Sequence, residues 1–134
     1  MAHPMLASAK RLAPAEEQLL RLKIHTLLTA CRDNGATHLV LSALGCGAFR
    51  NPPDHVAELF KDALSPASGM FRGCFKKVVF AIFDDHNAGK KHNPERNFLP
   101  FERCFSSPAS RTQRSHVGSA VQSATRGDGD GDIQ

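Results

Sequence analysis

Four consecutive blocks decide how this chain folds: Thr37-His38-Leu39-Val40-Leu41-Ser42-Ala43, then Leu44-Gly45-Cys46-Gly47-Ala48-Phe49-Arg50-Asn51, then Pro52 to Leu64, then Phe75-Lys76-Lys77-Val78-Val79-Phe80-Ala81-Ile82-Phe83. The first is a short strand whose centre is nearly continuously apolar, the pattern of a strand covered on both faces in a parallel sheet. The second is a glycine-rich loop. The third reads as a helix. Asn51 suits its N-cap and Pro52 its first position. Val56, Leu59, Phe60 and Ala63 then fall on one stripe. After a break at Ser65 to Gly69, the fourth block is the most strand-like segment of the chain. A strand–loop–helix–strand unit of this kind is expected to cross over right-handed.

Upstream, Pro14 to Asn34 has helical spacing, with Leu20, Ile24, Leu27, Leu28 and Cys31 on one face. Glu16 and Glu17 suit the positive end of the helix dipole, and Asn34-Gly35 is a stop signal. Residues 1–13 show no clear periodicity and are expected to form a weakly structured extension. Downstream, Asp84 to Asn97 is polar and reads as a loop. A last helix starts after Asn97, with Phe98, Phe101 and Phe105 on one side. From Ser106 the chain turns to Ser, Arg, Gly and Asp. It cannot bury enough surface there to offset chain entropy, so 106–134 is expected to be disordered.

Helix, strand, helix, strand, helix is the order of an α/β layer fold with a parallel sheet. Two strands leave two open edges and a thin core. The ordered part, 14–105, therefore looks like part of a larger sheet, completed by a partner chain or by self-association through the open edge.

The 134 residues suffice for one small domain. A net charge of +4 gives a mild preference for anionic partners. The Lys and Arg residues are scattered rather than clustered, which argues against a nucleic-acid partner. No apolar run is long enough to span a bilayer, so no membrane association is expected. The N-terminus has no apolar stretch of the secretory kind. Cys31, Cys46, Cys74 and Cys104 have no C-x-x-C spacing, which speaks against a zinc finger or a thioredoxin-type site. Free thiols in a reducing, intracellular setting (cytoplasmic or nuclear) are the expectation. His86 and His92 lack ligand spacing. Asp128, Asp130 and Asp132 begin a pattern like a calcium loop but lack its closing Glu. Neither metal nor cofactor is expected.

The loop Gly45-Cys46-Gly47-Ala48-Phe49 carries the chemistry. It leaves the carboxyl end of one strand and enters the amino end of a helix, the place where open α/β sheets bind ligands. Its glycines allow φ > 0 and close approach of backbone to ligand. Successive N–H groups can form a concave nest for an anion, aided by the helix dipole. Pro52 and Pro53 remove two donors, so the loop itself is the main cradle. A lone G-x-G matches neither the dinucleotide fingerprint nor the P-loop. A phosphate cradle and a tight structural turn both remain open on spacing alone. Cys46 could be a nucleophile only with a positioned base, and the sequence names none.

The stretch Leu39 to Pro53, with Val56-Ala57 and Phe60, resembles the microbial-type poly(ADP-ribose) glycohydrolase family of the macrodomain superfamily. Phe75 to Phe83, Asp84-Asp85-His86-Asn87, His92-Asn93-Pro94 and Asn97-Phe98-Leu99-Pro100-Phe101 continue the likeness in order, from roughly Glu16 to Phe105. The resemblance implies the C-terminal half of a three-layer α/β/α sandwich, lacking its N-terminal half, that binds ADP-ribose or poly(ADP-ribose) on modified proteins. Gly45, Cys46, Gly47, Ala48 and Phe49 then match the diphosphate loop. Phe49 would sit against the distal ribose, or else anchor the loop in the core. Phe83 or Phe98 could stack on adenine, or simply pack. Asn97 is a further candidate contact, or only a helix cap. Relatives that hydrolyse the ribose–ribose bond carry upstream a Gly-Gly-Gly segment followed by Gln-Glu-Glu, with a glutamate as acid/base. No Gly-Gly pair occurs here, and Glu16-Glu17-Gln18 has the wrong order and context. No catalytic residue is assigned. The resemblance implies a truncated, inactive form, with a non-catalytic ADP-ribose reader or an interaction half-domain as alternatives.

Overall fold

The computed structural model describes residues 3–84, 86 and 90–106. Apart from Ser106, the segment expected to be disordered lies outside the described residues.

The first long helix, α1, runs Pro14–Asp33, with Pro14, Glu16 and Glu17 in its first turn and Arg32 in its last. It ends where Asn34-Gly35 predicts. Gly35 adopts φ 74. The Gly35 N–H donates to the Arg32 carbonyl at 2.9 Å and the Ala36 N–H to the Cys31 carbonyl at 3.0 Å. This pair of bonds is a Schellman motif, which satisfies carbonyls left over at the helix end. The buried face is narrower than the periodicity suggests. Leu20, Ile24 and Leu28 are buried, whereas Leu27 is exposed at the margin.

Strand β3, His38–Leu41, pairs in parallel with β4, Lys77–Phe80, in the register Leu39↔Val78 and Leu41↔Phe80. Both strands are shorter than the apolar runs that contain them. The Cys46 N–H donates to the Ala43 carbonyl, and the Cys74 N–H to the Phe71 carbonyl. These turns bend the chain out of the sheet at either end.

Between the strands lies α2, Pro53–Leu64. It starts one residue later than expected, and Asn51 is not its N-cap. Pro52 holds that position without a side-chain bond, while the Asn51 side chain donates to the Leu44 carbonyl at 3.3 Å. Val56, Ala57, Leu59, Phe60 and Ala63 are buried. They face α1 and the inner side of the sheet, where Leu39, Leu41, Val78 and Phe80 join the core. The last helix, α3, is Phe98–Phe105. It closes the core through Phe101 and Phe105, whose rings lie 5.2 and 4.7 Å from that of Phe80.

Among the described residues, helices cover one face of the sheet only. On the other face Val40 is 75% exposed and Val79 40%, so the strand read as covered on both sides is covered on one. The architecture is an α/β portion with a parallel sheet, in which helices pack on a single side.

The N-terminal segment corrects a second expectation. Residues Leu6–Ser8 (β1) and Arg11–Leu12 (β2) form a small antiparallel hairpin. Strands of three and two residues are too short to show alternation, which is why sequence reading misses them. Burial of Leu12 and its hydrogen bond hold the hairpin down. The Leu12 N–H donates to Nδ1 of the fully buried His55 at 3.0 Å. With Nδ1 accepting, the imidazole proton sits on Nε2, which faces Glu17 Oε2 at 3.3 Å. One histidine thus joins β2, α1 and α2. Replacing His55 by Ala leaves a buried N–H without an acceptor and opens a cavity. It is expected to cost about 2–3 kcal/mol in urea unfolding, with early loss of hydrogen-exchange protection at Leu12.

Candidate functional site

The loop from Leu44 to Asn51 leaves β3 at its carboxyl end and delivers the chain to α2. Its shape comes from two left-handed residues, Gly45 at φ 71 and Arg50 at φ 59. At Gly45 a Cβ would run into the side-chain amide of Asn51, so glycine is required twice over, for dihedral and for space. Asn51 closes the neck of the loop. Its N–H donates to the Gly45 carbonyl at 2.9 Å, besides the side-chain bond to Leu44. The Arg50 N–H donates to the Gly47 carbonyl at 3.0 Å.

Cys46, Arg50 and Asn51 therefore spend their amides inside the loop. The N–H groups of Gly45, Gly47, Ala48 and Phe49 have no acceptor among the described residues. The last three are consecutive, the composition of an anion nest. Gly47 has open space on the side where a Cβ would project, which leaves room for close approach to its backbone.

The side chains sort into two groups. Cys46 points inward, 1% exposed, and burial pushes its thiol up to about 12. It stays protonated at neutral pH and serves as core, which disposes of a nucleophilic role. In native alkylation at neutral pH, Cys46 is expected to react last of the four thiols. The linkage has a definite sign. A folded-state value raised above the unfolded one makes stability fall as pH rises from about 9 towards 12. Phe49 points the other way. It is 54% exposed, so it does not anchor the loop in the core.

Of the remaining candidates, Phe83 is 83% and Phe98 38% exposed, while Asn97 is buried. Among the described residues, none of the ring pairs includes Phe49, Phe83 or Phe98. Asn97 is turned inward: its Oδ1 accepts from Asn93 Nδ2 at 2.6 Å. It makes no side-chain cap. Asp84, just past β4, caps α3 instead, accepting from the N–H of Asn97 at 2.8 Å and of Phe98 at 3.2 Å. The Asp84–Asn93–Asn97 group ties the carboxyl end of the sheet to α3. A polar run read as loop hides it, because its members are brought together only by the fold.

Burial lowers the His92 imidazole from its usual value, and Arg50, Lys90 and His3 add to the effect. Among the described residues no group of His, Cys, Asp or Glu could hold a metal ion. No described helix is long and apolar enough to cross a membrane. A cavity of about 1050 Å³ lies elsewhere. It is an apolar groove beside β4 that includes Phe71, Phe80, Ile82 and Phe101, and no residue of the loop.

No family model and no curated protein matches the chain. Solved structures do. The poly(ADP-ribose) glycohydrolase of Thermomonospora curvata bound to the inhibitor ADP-HPD is 38% identical, with a TM-score of 0.56 over 66% of this chain and 31% of that one. The poly(ADP-ribose) glycohydrolase of Deinococcus radiodurans in complex with ADP-ribose is 34% identical, with a TM-score of 0.56 over 69% of this chain and 33% of that one. The chain spans about a third of the length of these enzymes. Over the matched residues its sequence and its α/β fold with a parallel sheet are similar to those of bacterial poly(ADP-ribose) glycohydrolases.

Proposed function

We propose that this chain binds ADP-ribose by its diphosphate, through the loop Gly45 to Phe49, and does not by itself hydrolyse poly(ADP-ribose). The amides of Gly45, Gly47, Ala48 and Phe49, which have no acceptor among the described residues, carry the reading. Four donors at the carboxyl end of a parallel strand suit a pyrophosphate, and charge-assisted bonds to backbone N–H are among the stronger ones. In this reading Phe49, exposed at the end of the row, lies against the distal ribose. Phe83, past the end of the neighbouring strand, offers a second exposed ring.

Hydrolysis needs a carboxyl group that holds a proton near neutrality. Glu17, in the Glu16-Glu17-Gln18 stretch, does not qualify. Its hydrogen bond from Arg21 holds the carboxyl below the usual range. Glu95 is held down likewise, by Arg103 and Lys10. Both are ion-paired anions and poor acids. The diphosphate side of the site without the acid/base describes a reader of ADP-ribose, or the binding half of a divided glycohydrolase.

Titration calorimetry with ADP-ribose tests the binding. One-to-one binding is expected, and absence of heat would refute it. Replacing Gly47 by Ala puts a methyl group into the open side of the loop without steric conflict. The affinity is expected to drop about tenfold or more, a loss of about 1.4 kcal/mol, with the melting temperature unchanged. Release of ADP-ribose from polymer by this chain, abolished by the same substitution, would overturn the inactive reading.

A further inference from the structure

The groove beside β4 has no part in the reading of the ligand loop, none of whose residues line it. Val78 and Phe80 of β4, and Ile82 just past it, run along the groove. At about 3.3 Å per residue this row is about 13 Å long, so the hollow is a trough rather than a round pit. Phe71, from the connection that leads into β4, adds to the lining, as do Phe101 and Phe105 of α3. A volume of about 1050 Å³ stands at the upper end of the range for small-molecule sites. Such sites are mostly apolar, with a few polar groups that orient the ligand. The trough meets the first condition with hydrocarbon and phenyl side chains, and its rim meets the second.

Three charged side chains line it: Lys61, Glu102 and Arg103. Arg103 is committed to Asp54 and Glu95, and Glu102 is engaged as well. Lys61 differs. Its exposed Nζ donates to the Cys104 carbonyl at 2.9 Å, and among the described residues no carboxylate pairs with it. An ammonium carries three donors, so two of them and the whole charge are left for a ligand. We propose that the trough binds a fatty acid. The acyl tail lies along Val78, Phe80 and Ile82, and the carboxylate meets Lys61 Nζ. The match is one of shape and charge: an extended apolar tail for an elongated apolar floor, and one anion for one cation that lacks a counter-ion. A base or a sugar would need several hydrogen-bond partners, which the side chains of that floor do not offer. This site is separate from the ADP-ribose loop and does not rest on it.

The test is calorimetry of the full chain with decanoate, dodecanoate and dodecanol, each below its micelle or solubility limit. Saturable one-to-one binding of dodecanoate is expected, about tenfold tighter than that of decanoate, since each buried methylene adds roughly three- to fourfold. Lys61→Glu should weaken dodecanoate at least tenfold and leave dodecanol unchanged, because only the carboxylate uses the ammonium. Lys61 is exposed, so this variant should keep the melting temperature of the parent. Alkylation locates the ligand: dodecanoate should protect Cys104, which lines the trough, and leave the rate at Cys31, which does not, unchanged. Absence of saturable binding would overturn the proposal, as would equal dodecanoate affinity in Lys61→Glu. Faster alkylation of all four thiols would do the same, since the acid would then be acting as a detergent. So would a dimer of the parent chain in sedimentation that excludes dodecanoate, because a second copy would then fill the trough. ADP-ribose affinity enters none of these readings.

Discussion

Replacing Phe60 by Ala is expected to abolish the cooperative thermal transition of this chain. Phe60 is 1% exposed, on the buried stripe of α2. Its ring meets that of Phe80 edge-on at 5.2 Å, and Phe80 in turn touches Phe101 and Phe105. This aromatic chain joins α2, β4 and α3. Truncating a buried Phe costs about 3–5 kcal/mol through lost transfer energy and the cavity left behind. Whole domains are stable by only about 5–15 kcal/mol, and a sheet covered on one side sits at the low end. The same substitution in a domain with both faces covered would be survivable. A Phe60→Ala chain that melts cooperatively within a few degrees of the parent would contradict the account of the core.

The second large effect is on binding. Replacing Gly45 by Ala should weaken ADP-ribose binding about a hundredfold, whereas the Gly47 substitution leaves the loop's shape alone. Left-handed backbone costs a residue with a Cβ about 1–2 kcal/mol, and here the Cβ also meets the Asn51 side chain. Displacing Asn51 undoes both bonds that close the neck, to the carbonyls of Gly45 and Leu44. The amides of Gly47, Ala48 and Phe49 then lose their common orientation. Two charge-assisted hydrogen bonds lost, at about 1.5 kcal/mol each, give the hundredfold. Calorimetry checks this, with the melting temperature expected to fall only modestly because Cys46 is the one buried residue of the loop. Unchanged affinity in Gly45→Ala would mean that ligand contacts come from elsewhere.

How much of this was legible beforehand depends on how local each cause is. α1 was readable at both ends because its signals, Pro14, the early glutamates and Asn34-Gly35, act within a turn of where they stand. The parallel strand pair and the loop between strand and helix were legible from the apolar runs and the glycines. Residue-level burial was less so. Val40 and Val79 look like core, and would be in a complete sheet, but nothing in the described chain covers them. The cap of α3 was misplaced for another reason. Asn97 has the right chemistry, yet Asp84, thirteen residues earlier, reaches the same N–H groups and leaves Asn97 to bond Asn93. Such a contact exists only after β4 and α3 have docked. The inward turn of Cys46 was invisible too, because a G-C-G string does not say which way its side chain faces.

One detail of the strand pairing has a bearing on how the chain finds its fold. In β4, Val78 faces the core and Val79 faces away, and these two residues are interchangeable in size and polarity. A slip by one position would be resisted at the centre by almost nothing. The penalty sits at the ends, where sliding would drive the Lys77 ammonium among the phenyl rings and expel the Phe80 ring from them. Two terminal residues therefore keep the ladder in phase. A chain with Lys77 changed to Val keeps only the Phe80 penalty and should slip more readily than the parent.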